Sequence, residues 1–125
     1  MSSEADVLHI DNDSHFLDIY QDFLSERGLE VHTCKNEERG FRAAKNKNPK
    51  LILLEVVLED MNGYELLEEL KQNGETNYIP VIVLSKLGQK RDLQKARDLN
   101  ANGYIIKQHV KPRDVVRYIK QNFIK

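Results

Sequence analysis

Five short apolar runs, each followed by a stretch of helical period, succeed one another along this chain of 125 residues. That alternation is the signature of a parallel sheet wrapped by helices. The strand candidates lie at residues 7–10, 30–34, 51–56, 81–84 and 104–106. Residues 51–54 and 81–84 are apolar at every position, as expected of strands covered on both faces. The first helix is placed at residues 14–27, with Ser14 as its cap, Phe16, Ile19, Tyr20 and Phe23 on its buried side and Gly28 ending it. A second helix is expected at residues 37–45, a third at 63–72 and a fourth, the most polar, near 90–99. Pro112 opens a fifth, with Val115, Val116, Ile119 and Phe123 facing inward.

A chain of this length holds one domain with a real core. Its 40% hydrophobic and 31% charged residues are those of an ordinary globular protein. No apolar run approaches the roughly 18 residues of a membrane span, and the start MSSEADVLHID has no secretion-signal pattern. The expected setting is cytoplasmic, with no membrane partner. The single cysteine, Cys34, forms no internal disulfide and is read as a small strand residue. His9, His15, His32 and His109 lie on separate elements without acidic or cysteine companions at ligand spacing, so no histidine metal site is expected. His9 and His32 read as satisfied strand residues.

The net charge of −1 hides an asymmetry. Residues 1–62 carry 7 Lys and Arg against 13 Asp and Glu, whereas residues 86–125 carry 11 against 3. The basic last third is either a set of solvated helix faces or a surface for an acidic partner.

Doubly wound sheets place their sites beyond the carboxyl ends of the strands. Function is therefore sought at Asp11, Asn12 and Asp13 after the first strand, at Glu55, at Ser85 and Lys86 after the fourth, at Lys107 after the fifth, and at the loop of residues 59–62.

These stretches carry a family resemblance. The run PKLILLEVVLEDMNGYELL, residues 49–67, resembles the third strand and following loop of bacterial response-regulator receiver domains, with Glu55 where that family has its phosphate-accepting aspartate. VLHIDND resembles the first strand with its acidic pair, LSK the fourth with Ser85 as switch hydroxyl, and ANGYIIK the fifth with Tyr104 as switch aromatic and Lys107 as the family's lysine. The resemblance implies an α/β, flavodoxin-like doubly wound sheet of five parallel strands in the order 2-1-3-4-5 with five helices. It places the domain at residues 7–125 and leaves residues 1–6 as a disordered N-terminus. In that family the acid pair binds magnesium, and metal and lysine neutralise the incoming phosphoryl group. Such transfer depends mostly on positioning and charge stabilisation.

The departures cluster at this chemistry. Glu55 carries its carboxylate outward by more than about 1 Å, a displacement that costs on the order of a hundredfold in rate. Asn12 removes a charge from the metal position, so the magnesium site implied for Asp11, Asn12 and Glu55 is weak or lost, and no other cofactor is expected. Lys86 puts a long cation where the family has a small residue, able to fold over Glu55. Gln108 replaces a proline, so a cis bond after Lys107 is disfavoured by about 2.5–4 kcal/mol. Asp13 reads either as a helix-start acid or as a third member of the acid pocket.

Two function classes follow. In the first the chain is a non-enzymatic interaction module of two-component signalling, a pseudo-receiver independent of phosphorylation, in which Glu55 imitates part of a phosphoaspartate's charge or simply pairs with Lys107. Its docking surface, carried over from the family, is the fourth helix, fifth strand and fifth helix with Lys90, Arg91, Lys95, Arg113 and Arg117. The partner would be an acidic protein surface on a histidine kinase or downstream effector. In the second class the site still accepts a phosphoryl group from a histidine kinase with magnesium. An anion or nucleotide in the crevice ranks behind both because no Gly-rich phosphate loop is present. Nucleic acid ranks last for want of a DNA-binding motif.

Overall fold

The computed structural model describes residues 4–58 and 62–124. Five parallel strands, β1 (Val7–Ile10), β2 (Val31–Cys34), β3 (Leu51–Leu54), β4 (Val81–Ser85) and β5 (Gly103–Ile106), form one sheet in the order β2-β1-β3-β4-β5. Five helices alternate with them: α1 (Ser14–Glu26), α2 (Glu37–Lys47), α3 (Gly63–Gln72), α4 (Lys90–Asp98) and α5 (Pro112–Asn122). This is the flavodoxin-like architecture expected from the sequence.

Successive strand residues point to opposite faces, so each strand feeds two cores. Leu8, Ile10, Ile52, Leu54, Val81 and Val83 pack with Ala43 and Ala44 of α2, Leu66, Leu67 and Leu70 of α3, and Ala96 of α4. Val7, Leu51, Leu53, Ile82 and Leu84 pack with Tyr20 and Leu24 of α1 and with Val115, Val116 and Ile119 of α5. The unbroken apolar strands β1, β3 and β4 are thereby buried on both sides.

The differences from expectation are local. Asp13, not Ser14, caps α1: its carboxylate accepts the N–H groups of His15 and Phe16. A carboxylate satisfies the first-turn donors and also meets the positive end of the helix dipole. β3 stops at Leu54, so Glu55 and Val56 lie beyond the strand, while β4 runs one residue further, through Ser85. Ala5 and Asp6, expected to be disordered, are tied down: the Ala5 N–H bonds the Lys47 carbonyl, and the Asp6 carboxylate accepts the Glu30 N–H. Gly63 is needed where α3 begins, because a Cβ there would lie 2.4 Å from Val56 Cα. That close approach presses residues 55–57 against α3 and fixes the stretch carrying the site.

Candidate functional site

At the carboxyl ends of β1, β3, β4 and β5 the topology gathers four side chains from distant parts of the chain. Asp11, Glu55, Ser85 and Lys107 are all buried. Lys107 opens a single 3-10 turn, Lys107–His109, and its ammonium points into the crevice. It lies 2.6 Å from Asp11 Oδ2 and 3.0 Å from Glu55 Oε1. The ring of Phe16 closes its other side, with Nζ 4.1 Å from the ring centroid. Burial alone lowers the Lys107 pKa, but the hydrogen bond and charge of Asp11 and the charge of Glu55 more than offset this and hold it above its ordinary value. For Asp11 burial is the leading cause and raises the carboxyl, against the pull of Lys107 and of the Asp13 N–H. One ammonium serves two buried carboxyl groups, and for Asp11 it does not make up for the loss of solvent.

Glu55 is the centre of the site. Its Oε1 accepts from the Lys107 ammonium and, at 3.2 Å, from the Lys86 N–H. Its Oε2 accepts from the Ser85 hydroxyl and, at 3.1 Å, from the Val57 N–H. An ionised carboxylate has about four lone-pair positions, and four donors fill them. The extra methylene that sets Glu55 apart from an aspartate carries the carboxylate into this ring of donors.

A relay leads outward from there. Ser85 Oγ, while donating to Glu55, accepts the Leu87 N–H at 3.1 Å, and the Leu87 carbonyl accepts the Tyr104 hydroxyl at 2.7 Å. Tyr104 is half-buried on β5. Glu55 is thus linked through Ser85 and Leu87 to the aromatic residue expected to act as a switch.

Two expected contacts are not made. Lys86 is exposed, and its backbone N–H rather than its ammonium reaches Glu55. Its side chain lines a cleft with Asp13, Phe16, Lys107 and Gln108. Asp13 is exposed and engaged in capping α1, so it does not join the acid pocket. Asn12 is half-buried beside Asp11. The peptide bond after Lys107 is trans, as no cis bond occurs among the described residues. Of the loop at residues 59–62, residues 59–61 lie outside the described residues.

Some of the site was invisible beforehand. Backbone donors such as those of Val57 and Lys86 leave no mark on a residue pattern. Phe16, assigned to the core by its spacing, turns out to cover the Lys107 ammonium. His9, read as satisfied, has no hydrogen-bond partner for either ring nitrogen among the described residues; it is wholly enclosed, with its ring edge-on to Tyr20 at 5.6 Å. Burial and then the Lys107 charge lower its pKa to about 3.

The basic residues expected at a docking surface are all exposed: Lys90, Arg91 and Lys95 on α4, Arg113 and Arg117 on α5. They do not form one uniform patch. Arg117 lies 3.7 Å from Asp114, and Lys95 sits over the Tyr64 ring, 4.7 Å from its centroid. Leu93 and Tyr118 add exposed apolar area to the same side.

The model of the response regulator receiver domain matches residues 7–120. The chain belongs to the response regulator receiver family. It is 33% identical over 101 residues to the probable transcriptional regulator ycf29 of Pyropia yezoensis, a match covering 81% of this receiver and 46% of that protein. It is 27% identical over 120 residues to the transcriptional regulatory protein SrrA of Staphylococcus aureus, covering 96% and 47%. This receiver thus spans about half the length of those two regulators. An uncharacterized 14.6 kDa protein of Leptolyngbya boryana is similar in size, 25% identical over 95% of this receiver and 90% of its own length. Among solved structures, a CheY-like receiver domain protein of Methanospirillum hungatei superposes with a TM-score of 0.85 at 28% identity, covering 95% and 93% of the two chains. A two-component response regulator of Clostridium difficile shares the fold, with a TM-score of 0.86 at 20% identity, covering 94% of each chain. No helix among the described residues is long and apolar enough to cross a membrane.

Proposed function

We propose that this receiver is a non-enzymatic protein-interaction module whose signalling state does not depend on a phosphoryl group. The observation that carries this reading is the saturation of Glu55. Lysine, hydroxyl and two backbone N–H groups are donors of the kind that stabilise a transferring phosphoryl group. Here a side chain of the protein itself occupies all of them. A phosphoryl group entering the crevice would have to displace Glu55 from four hydrogen bonds, two of them from a buried ammonium and a buried hydroxyl.

The metal side of the pocket supports the same reading. The Asp11 carboxylate holds Lys107 with one oxygen and the Asp13 N–H with the other, and Asn12 brings no charge. Among the described residues no three Asp, Glu, His or Cys side chains converge as ligands. Magnesium binds through one or two carboxylates and several waters; here Lys107 takes one Asp11 oxygen and shares the Glu55 carboxylate, so an ion would compete with this ammonium, and no step of the reading uses it.

With Glu55 fixed on Ser85, the relay holds Tyr104 against the Leu87 carbonyl without an external signal. The α4, β5 and α5 surface is then presented in one arrangement to a cytoplasmic partner. The exposed Lys90, Arg91, Lys95 and Arg113 favour an acidic protein surface, whether on a histidine kinase or an effector.

Incubation with acetyl phosphate and magnesium, followed by intact-mass measurement, tests the reading. The expected mass is unchanged. A gain of one phosphoryl group that disappears in Glu55→Gln would refute it and restore a phospho-accepting receiver.

A further inference from the structure

At the other edge of the sheet lies a second concave surface. β2 is a terminal strand, and α2 overhangs it to leave a groove of about 680 Å³. Lys35, Arg39, Arg42 and Lys47 line its rim and His32 and Cys34 its floor, and among the described residues no acidic side chain is part of the lining. Arg42 is held by Glu38 at 2.9 Å across one helical turn. Lys35 and Arg39 are exposed and pair with no carboxylate among the described residues. Six of the seven basic residues within positions 1–62 fall between 35 and 50, so this is a cationic island in the acidic half of the chain.

The groups on the floor register the field. The His32 pKa is lowered by burial and then by the Lys47 charge. The Cys34 thiol is pushed up by burial, against the opposing pull of Arg39 and Lys47.

We propose that this groove docks an extended acidic segment of a partner protein along β2. Two features favour a peptide over a compact anion. The charges are strung out: from Arg39 to Lys47 α2 advances about 12 Å, a distance an extended chain covers in about four residues. The strand also has main-chain groups to offer. The carbonyls of Glu30 and Cys34 turn toward β1, where they accept from Val7 and Asp11. Alternation along the strand then turns the N–H and C=O of Val31 and Thr33 toward the open edge. Main-chain pairing supplies affinity in strand addition, and the rim cations select for alternate acidic side chains. This surface is separate from α4, β5 and α5, so the domain has the means to hold two partners at once.

The test uses a fluorescein-labelled octapeptide of alternating glutamate and valine, followed by anisotropy at about 50 mM salt, where charge is weakly screened, and by amide chemical-shift mapping. Binding is expected with a dissociation constant below about 1 mM, about −4 kcal/mol, with shifts confined to β2 and α2. The double variant Lys35→Glu with Arg39→Glu, both at exposed positions, is expected to bind at least about tenfold more weakly, a difference of about 1.4 kcal/mol. Lys90→Glu with Arg91→Glu, on the other surface, is expected to bind as the parent does. The proposal is overturned if no binding is detected, if the α4 reversal rather than the groove reversal weakens it, or if the shifts map to β5 and α5. Tighter binding of single-stranded DNA or of phosphatidylserine vesicles at the same residues would also overturn it, in favour of a different class of partner.

Discussion

His9 offers the sharpest quantitative test of the structure. It sits within β1, fully enclosed, without a hydrogen-bond partner for either nitrogen among the described residues and within the field of the Lys107 charge. A folded-state pKa of about 3 against an ordinary 6.5 means that the native protein refuses a proton that the unfolded chain accepts. Its contribution to stability is therefore intact above pH 6.5, falls as the pH drops below that value, and levels off near pH 3. Linkage gives a loss of about 2 kcal/mol between pH 7 and pH 5, within a full swing of about 5 kcal/mol. For a domain of this size that is about 6–10 °C in Tm. Asp11 titrates with the opposite sign and His32 with the same sign, so the absolute pH profile is a composite. The difference between the protein and His9→Leu isolates the histidine. At pH 7 the two should be similar, because an unbonded buried imidazole costs about 1–3 kcal/mol while the edge contact with Tyr20 contributes about 0.5–1.5 kcal/mol. At pH 5 the leucine variant should be more stable by about 2 kcal/mol beyond any difference at pH 7. Urea denaturation of both proteins at the two pH values decides it, and stability curves that run parallel from pH 7 to pH 5 would show that His9 is hydrated or hydrogen-bonded after all.

Lys107→Met should destabilise the fold by about 3–5 kcal/mol at neutral pH, because it leaves Asp11 and Glu55 buried without a cation. Denaturation at lower pH should show part of that loss recovered as Asp11, whose carboxyl burial already raises, takes up a proton. Tyr104→Phe removes the hydroxyl from the Leu87 carbonyl at a cost of about 1 kcal/mol. If the relay runs as described, amide shifts in that variant should reach Ser85 and Glu55, and shifts confined to β5 would break the link.

The five strand and helix units were legible because each strand is apolar on both faces and each helix repeats its apolar positions, and binary patterning survives without knowledge of tertiary contacts. The convergence of Asp11, Glu55, Ser85 and Lys107 was legible too, since a doubly wound sheet brings strand ends together whatever their separation in sequence. What escaped depends on direction and distance. Asp13 and Ser14 are both good caps, and only the φ and ψ of Asp13 decide between them. Whether the ammonium or the amide of Lys86 meets Glu55 turns on the path of one loop. The cationic groove was hidden because summing charge over residues 1–62 averages Lys35, Arg39, Arg42 and Lys47 against acids that face elsewhere. The unbonded imidazole of His9 follows from what its neighbours lack, which no residue pattern records.

The ring of donors around Glu55 also bears on how such a site changes over time. Shortening the side chain to aspartate would draw the carboxylate back from Ser85 and Lys107 and leave a methylene-sized gap, a loss of about 1 kcal/mol in packing before any unsatisfied donor is counted. It would not by itself supply a second acid at position 12 or a small residue at position 86. Aspartate at position 55 is therefore unfavourable on its own, and the pocket holds its glutamate by the very hydrogen bonds that the longer side chain makes possible.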